Sequence, residues 1–149
     1  MRTFSTSIDI PAPAARVWDV IRDVERWQEW TPSITSVRLL GRGPFEVGLR
    51  ALIRQPKLPP AMWKVTAIEP GRSFTWTSAG PGFRMVGYHG VEPTGAGSRA
   101  TLSLEMQGIF GSLFGRMAKD ITERYIAFEA DGLKARSVNP DFRHEGARA

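Results

Sequence analysis

"SLFGRMAKDITERYIAFEADGLKAR", residues 112 to 136, is the stretch on which the fold turns. Ser112 is a plausible cap, and the run reads as one long helix ending near Arg136. At about 100° per residue, Leu113, Phe114, Met117, Ala118, Ile121, Tyr125 and Phe128 share one side. Arg116, Lys119, Asp120, Glu123, Arg124 and Lys134 take the other, with Arg116–Asp120 and Asp120–Arg124 at i,i+4 spacing. A helix divided in this way has to lie against an apolar surface.

The preceding hundred or so residues supply that surface. "TFSTSIDIP" alternates apolar and hydroxyl residues and reads as a first strand ending at Pro11. "PAARVWDVIRD" opens on Pro13, suited to a first helical turn, and repeats Val17, Val20, Ile21 and Val24 at helical spacing. Asp23 can cap a second short helix, "VERWQEW", with Trp27 and Trp30 on one side. Six strands follow: "ITSVRLL", "GLRALIRQ", "MWKVTAIEP", "SFTWTSA", "FRMVGYHGVEP" and "SRATLSLEMQ". The Gly- and Pro-bearing connections between them are too short for helical crossovers, so the sheet is an antiparallel meander. Its concave face is the one surface large enough for the long helix.

Bulk properties bound the function. The chain has 149 residues, 42% hydrophobic and 23% charged, which suits one soluble globular domain. Its formal charge is +5, yet arginines such as Arg2, Arg16, Arg38, Arg72, Arg99 and Arg136 are dispersed, and nucleic-acid binding needs a clustered footprint. There is no cysteine, which excludes disulfides, thiolate metal sites and a cysteine nucleophile. The opening residues lack the apolar core of a signal peptide, and no stretch approaches a membrane span. A cytoplasmic protein is expected, with one domain over residues 1–137 and a polar, flexible tail over 138–149.

The order β-α-α-β-β-β-β-β-β-α describes an α+β helix-grip architecture: a curved seven-stranded antiparallel sheet wrapped around a long C-terminal helix, with two short helices between strands one and two. Here the sequence resembles the START-like (SRPBCC) superfamily, in particular its bacterial polyketide cyclase/dehydrase-type branch. The resemblance rests on "IDIPAPAARVWDVIRDVERWQEWTPSITSV", "WKVTAIEPGRSFTW", "HGVEPTGAGSRATLSLEM" and "RYIAFEADGLKA", and covers Arg2 to Arg136. It implies a cyclase, a dehydratase, a carrier of hydrophobic ligands or a chaperone-activator-like interaction module, without choosing among them.

Geometry adds a location. In a meander, "PKLPP", "AGPG" and "GIFG" fall at the end of the sheet beside the start of the long helix, and a pocket mouth is expected there. Strand parity sorts the lining. Phe74 and Trp76 oppose Thr75 and Thr77; Trp63, Val65 and Ala67 oppose Lys64 and Thr66; Phe83, Met85, His89 and Val91 oppose Arg84 and Tyr88. His89 therefore points at the helix, with Gly87 and Gly90 leaving space beside it. The expected ligand-binding set is Trp30, Ile53, Trp63, Val65, Trp76, Phe83, Met85, His89, Leu104, Met106, Leu113, Met117, Ile121 and Tyr125.

His89 is the best single candidate for chemistry, and a satisfied core histidine is the plain alternative. Its partner would be Tyr125, an indole N–H or a ligand. If there is catalysis, His89 would act as general acid or base beside a carbonyl and Tyr125 would hydrogen-bond the developing enolate, as in a cyclase or dehydratase. His144 lies in the tail, so no metal cluster is expected, and no phosphate-cradling loop or cofactor motif is present. The favoured function is binding of a hydrophobic aromatic, polyketide- or lipid-like small molecule between sheet and helix. The enzyme and the interaction module stand as alternatives.

Overall fold

The computed structural model describes residues 2–108 and 115–147. Seven strands, β1 (Arg2–Ile10), β2 (Ser36–Leu40), β3 (Arg50–Arg54), β4 (Ala61–Glu69), β5 (Ser73–Gly80), β6 (Phe83–Thr94) and β7 (Gly97–Gly108), form one antiparallel sheet. Their order is β1-β7-β6-β5-β4-β3-β2: a meander whose last strand returns to pair with the first. Between β1 and β2 lie α1 (Ala14–Arg22), a single turn at Val24–Arg26, and the short α2 (Trp27–Trp30). The long helix α3 (Gly115–Val138) follows the sheet. This is the α+β arrangement that the pattern predicts. Ser112, Leu113, Phe114 and the "GIFG" connection lie outside the described residues.

Strand parity fixes the sheet's buried face, with one exception. Val65 pairs with Trp76 and Ala67 with Thr75, so Thr66 is an extra residue, a β-bulge. The bulge reverses the alternation beyond it. Ala67, expected to point inward with Trp63 and Val65, is exposed, and Ile68 is half-buried in its place.

The helix also departs from the expected phase. Its buried residues are Thr122, Ile126, Ala130, Gly132, Leu133 and Ser137, whereas Met117 is 65% exposed and Phe128 lies at the surface. The seated side is the one with small residues, because the helix comes very close to the segment after α2. A Cβ on Gly132 would run into the carbonyl oxygen of Trp30 and lie 2.9 Å from its ring. Large side chains there would hold the helix away, so Met117 and Phe128 occupy the outer side.

The end of the sheet opposite the expected mouth is stoppered. Phe45, in the β2–β3 connection, packs edge-on against Phe74 at 5.1 Å and Trp18 at 6.3 Å between ring centres. Residues Asn139–Ala147, the polar tail of the sequence, return to α2. Arg136 pairs with Glu29 at 2.7 Å and donates to the Phe142 carbonyl at 2.8 Å. The His144 ring meets the Gln28 carbonyl at 2.8 Å. Among the described residues no helix is long and apolar enough to cross a membrane.

The seat at Gly132 makes a prediction with a definite sign. On an exposed helix, Gly→Ala stabilises by up to about 1 kcal/mol. Gly132→Ala should instead destabilise by roughly 1–3 kcal/mol, because neither the Trp30 backbone nor the helix can yield without disturbing the other. Urea unfolding with an unchanged m-value would show this, and a gain in stability would contradict the close approach.

Candidate functional site

Between α3 and the sheet lies a cavity of about 380 Å³. Leu58, Pro59, Pro60, Ala79 and Ala118 line its outer part, which places its mouth at the β3–β4 and β5–β6 connections, beside the start of the helix. Its walls come from Trp63 and Ala61 of β4, Trp76 of β5, Phe83 and Met85 of β6, Leu102, Leu104 and Met106 of β7, and Ile121 and Ile126 of α3. Of the expected ligand set, Ile53, Trp63, Trp76, Phe83, Met85, His89, Leu104, Met106, Ile121 and Tyr125 are at the wall.

Three of the expected set are elsewhere. Trp30 is 4% exposed and wedged beneath α3, against Gly132. Val65, 1% exposed, is core behind the wall. Met117 is on the outer side of the helix, for the packing reason given above. Leu113 lies outside the described residues.

His89 is at the inner end of the cavity, 7% exposed. Its ring stacks on Phe74 at 4.7 Å with 14° between planes, while Trp27 and Trp76 stand against it at 4.9 and 5.6 Å. Nδ1 has no hydrogen-bond partner. Neither expected protein partner serves it. The Tyr125 hydroxyl donates to the Pro56 carbonyl, and the Trp27 indole N–H to the Ile21 carbonyl at 3.0 Å. Burial lowers the imidazole from its usual value to about 3, so the ring is neutral at pH 7.

The glycines beside it do not open free space. A Cβ on Gly87 would lie 2.9 Å from the Trp76 indole nitrogen, and one on Gly90 would strike the Tyr88 ring. Gly87 lets Trp76 lie across β6 and close the aromatic wall around His89.

The group that sequence reasoning missed is Glu129. It lines the cavity from α3 and is half-buried. The Ser33 hydroxyl donates to its Oε1 at a long 3.5 Å. Ser33 is itself held: its hydroxyl and that of Thr31 are 2.7 Å apart, and the Gln55 amide donates to its carbonyl at 3.1 Å. Burial pushes the Glu129 carboxyl up to about 7, against the smaller downward effect of the Ser33 bond. A signal was available, since at helical spacing Glu129 shares a side with Ala118, Thr122 and Tyr125.

The cavity thus combines aromatic and aliphatic walls with enclosed polar groups, among them His89 and the Glu129–Ser33–Gln55 cluster. Among the described residues no group of three or more His, Asp or Glu is placed to hold a metal ion. A meander gripping one long helix across such a cavity defines a helix-grip protein of the START-like class. The sequence matches the family model described as polyketide cyclase/dehydrase and lipid transport over residues 1–138, and the chain belongs to that family.

Solved structures agree on the fold. The protein TTHA0849 from Thermus thermophilus is 20% identical, with a TM-score of 0.76 over 95% of this chain and 100% of that one. The ZhuI aromatase/cyclase from Streptomyces sp. R1128 is 17% identical, with a TM-score of 0.75 over 92% and 93%. A START superfamily protein from Mycobacterium smegmatis is also 17% identical, at 0.75 over 93% and 98%. None of the curated proteins matches the sequence.

The two shifted groups should act on stability in opposite directions. Glu129 titrates higher folded than unfolded, so its contribution is full below pH 4.5 and is lost as pH rises towards 7. His89 titrates lower folded than unfolded, so its contribution is full above pH 6.5 and is lost as pH falls towards 3. Between pH 4.5 and 6.5 the two slopes oppose each other. Relative to wild type, Glu129→Gln should gain stability with rising pH across that window and His89→Gln should lose it, each by roughly 3 kcal/mol. Chemical denaturation at pH 4.5, 5.5 and 6.5 would reveal parallel profiles if either carboxyl or ring were solvated.

Proposed function

We propose that the protein binds a hydrophobic small molecule, aromatic or polycyclic in shape, in the cavity between sheet and helix. The observation that carries this reading is the enclosure itself: about 380 Å³, walled by Trp63, Trp76, Phe83 and the aliphatic side chains of β7 and α3. Specific small-molecule sites have this volume and this mixture of apolar wall and few polar anchors. The family description, with cyclases, dehydrases and lipid transport together, supports a hydrophobic ligand. The aromatase/cyclase and START neighbours, being distant in sequence, support the architecture of such a site.

A second reading, acid–base catalysis, is favoured by one specific observation. Glu129 exchanges its proton near neutrality inside an apolar enclosure, the condition that a general acid or base requires. In that reading Glu129 moves the proton at carbon beside a carbonyl. His89, neutral and titrating near pH 3, hydrogen-bonds the substrate and does not carry the proton. Tyr125, latched to Pro56, holds the mouth.

Binding can be tested with a hydrophobic fluorophore, because Trp27, Trp63 and Trp76 at the wall should transfer energy to a bound dye. Ala118→Trp projects a ring into the cavity and should weaken dye binding at least about tenfold. Ala67→Phe, on the exposed face beyond the bulge, should leave it unchanged. Equal affinity in wild type and Ala118→Trp would place the dye outside the cavity and remove the proposal's support.

A further inference from the structure

The charge chemistry of the wall narrows the ligand, given the binding reading above. Among the described residues that line the cavity there is no lysine and no arginine. The ionisable lining groups are His89 from β6 and Tyr125 and Glu129 from α3. Charged side chains on the elements packed around Glu129 are engaged or directed elsewhere. Glu29 of α2 is taken by Arg136 and Arg143, and Arg16 of α1 donates to the carbonyls of Arg136 and Ser137. Arg38 of β2 and Arg54 of β3 are exposed.

An anionic group entering this space would give up its hydration and find no cation to replace it. It would also approach Glu129, whose own charge is already disfavoured by burial. The polar groups at the wall are suited to an uncharged partner instead. The ring of His89, 93% buried by area, seals its Nδ1 away from the cavity and leaves Nε2 as the nitrogen a ligand can meet. A hydroxyl can satisfy that nitrogen in either tautomer, donating to it when bare and accepting from it when protonated. The Glu129 carboxyl, with its single long bond from Ser33, can donate to a carbonyl or hydroxyl oxygen when it holds its proton.

We propose that the cavity takes an uncharged ligand, an aromatic or polycyclic skeleton bearing a hydroxyl or ketone oxygen, and excludes carboxylates and phosphates of the same skeleton. Free fatty acids and phospholipid headgroups are thereby excluded from the interior, whereas neutral alcohols, phenols and ketones are accepted. A corollary is linkage to pH. A neutral ligand that displaces cavity water deepens the desolvation of Glu129, so occupancy and protonation favour each other, and affinity declines as pH rises above neutrality.

Three anthracene probes of one shape separate the possibilities: anthracenemethanol, anthracenecarboxylate and anthracenemethylammonium, each titrated by quenching of tryptophan emission at pH 6 and pH 8. The alcohol should bind at least about tenfold more tightly than the carboxylate at both values. It should weaken severalfold from pH 6 to pH 8 in wild type and not in Glu129→Gln. Equal or tighter binding of the carboxylate or the ammonium would overturn the inference while leaving the binding reading intact. If no probe binds, and Ala118→Trp changes nothing, the binding reading fails and this inference with it. The comparison of probes needs wild-type protein alone, so it does not depend on the variant's folding.

Discussion

The close seat of α3 on the segment after α2 is the constraint on which the rest of the molecule depends. Gly132 lies against the Trp30 backbone, and three residues earlier Glu129 meets Ser33. This fixes the helix over β1 and the two short helices. It cannot also cover β3 to β6 at the same depth, and tryptophans and methyl groups on those strands are left facing a gap. Phe45 closes one end of the gap and the Leu58–Pro60 connection borders the other. The cavity is therefore a consequence of how the helix is seated. The returning chain at Asn139–Ala147 reinforces that seat, since Arg136 and His144 hold α2 from outside.

The same seat sets the electrostatics. A carboxyl anchored on the inner side of the helix is shielded from bulk water, and a single long hydroxyl bond is weak compensation for a charge in that setting. His89 is enclosed in a different way, by ring faces, and it too is kept uncharged. The outcome is a cavity whose polar groups are neutral or close to it at pH 7. That property links ligand class, pH and stability, because each depends on the free energy of keeping charge out of one enclosed space.

Much of this was legible in the sequence, and the rest was hidden for specific reasons. Alternation along β5, β6 and β7 placed Trp76, Phe83, Met85, His89 and Leu104 on the inner face, because a period of two survives wherever the ladder is regular. It failed at Thr66, where an extra residue flips the side chains and no residue type announces it. The helix was phased by its largest apolar residues, which put Met117 and Phe128 inside; the contact is governed by its small ones, Ala130 and Gly132. Glu129 was overlooked because a glutamate on an amphipathic helix usually marks solvent. Its phase beside Ala118 and Thr122 said otherwise. Gly87 and Gly90 suggested room near His89, and close ring packing fills it.

The decisive measurement is the carboxyl titration of Glu129 followed by ¹³C NMR, with the resonance identified by its loss in Glu129→Gln, in the free protein and with a neutral aromatic alcohol present. A midpoint near pH 7 in the free protein, moving higher when the alcohol binds, is the result expected if the helix seals a ligand cavity around this group. A midpoint at the ordinary glutamate value near 4.5, unmoved by the alcohol, would mean that water reaches the carboxyl freely. An enclosed, charge-excluding cavity would then not exist.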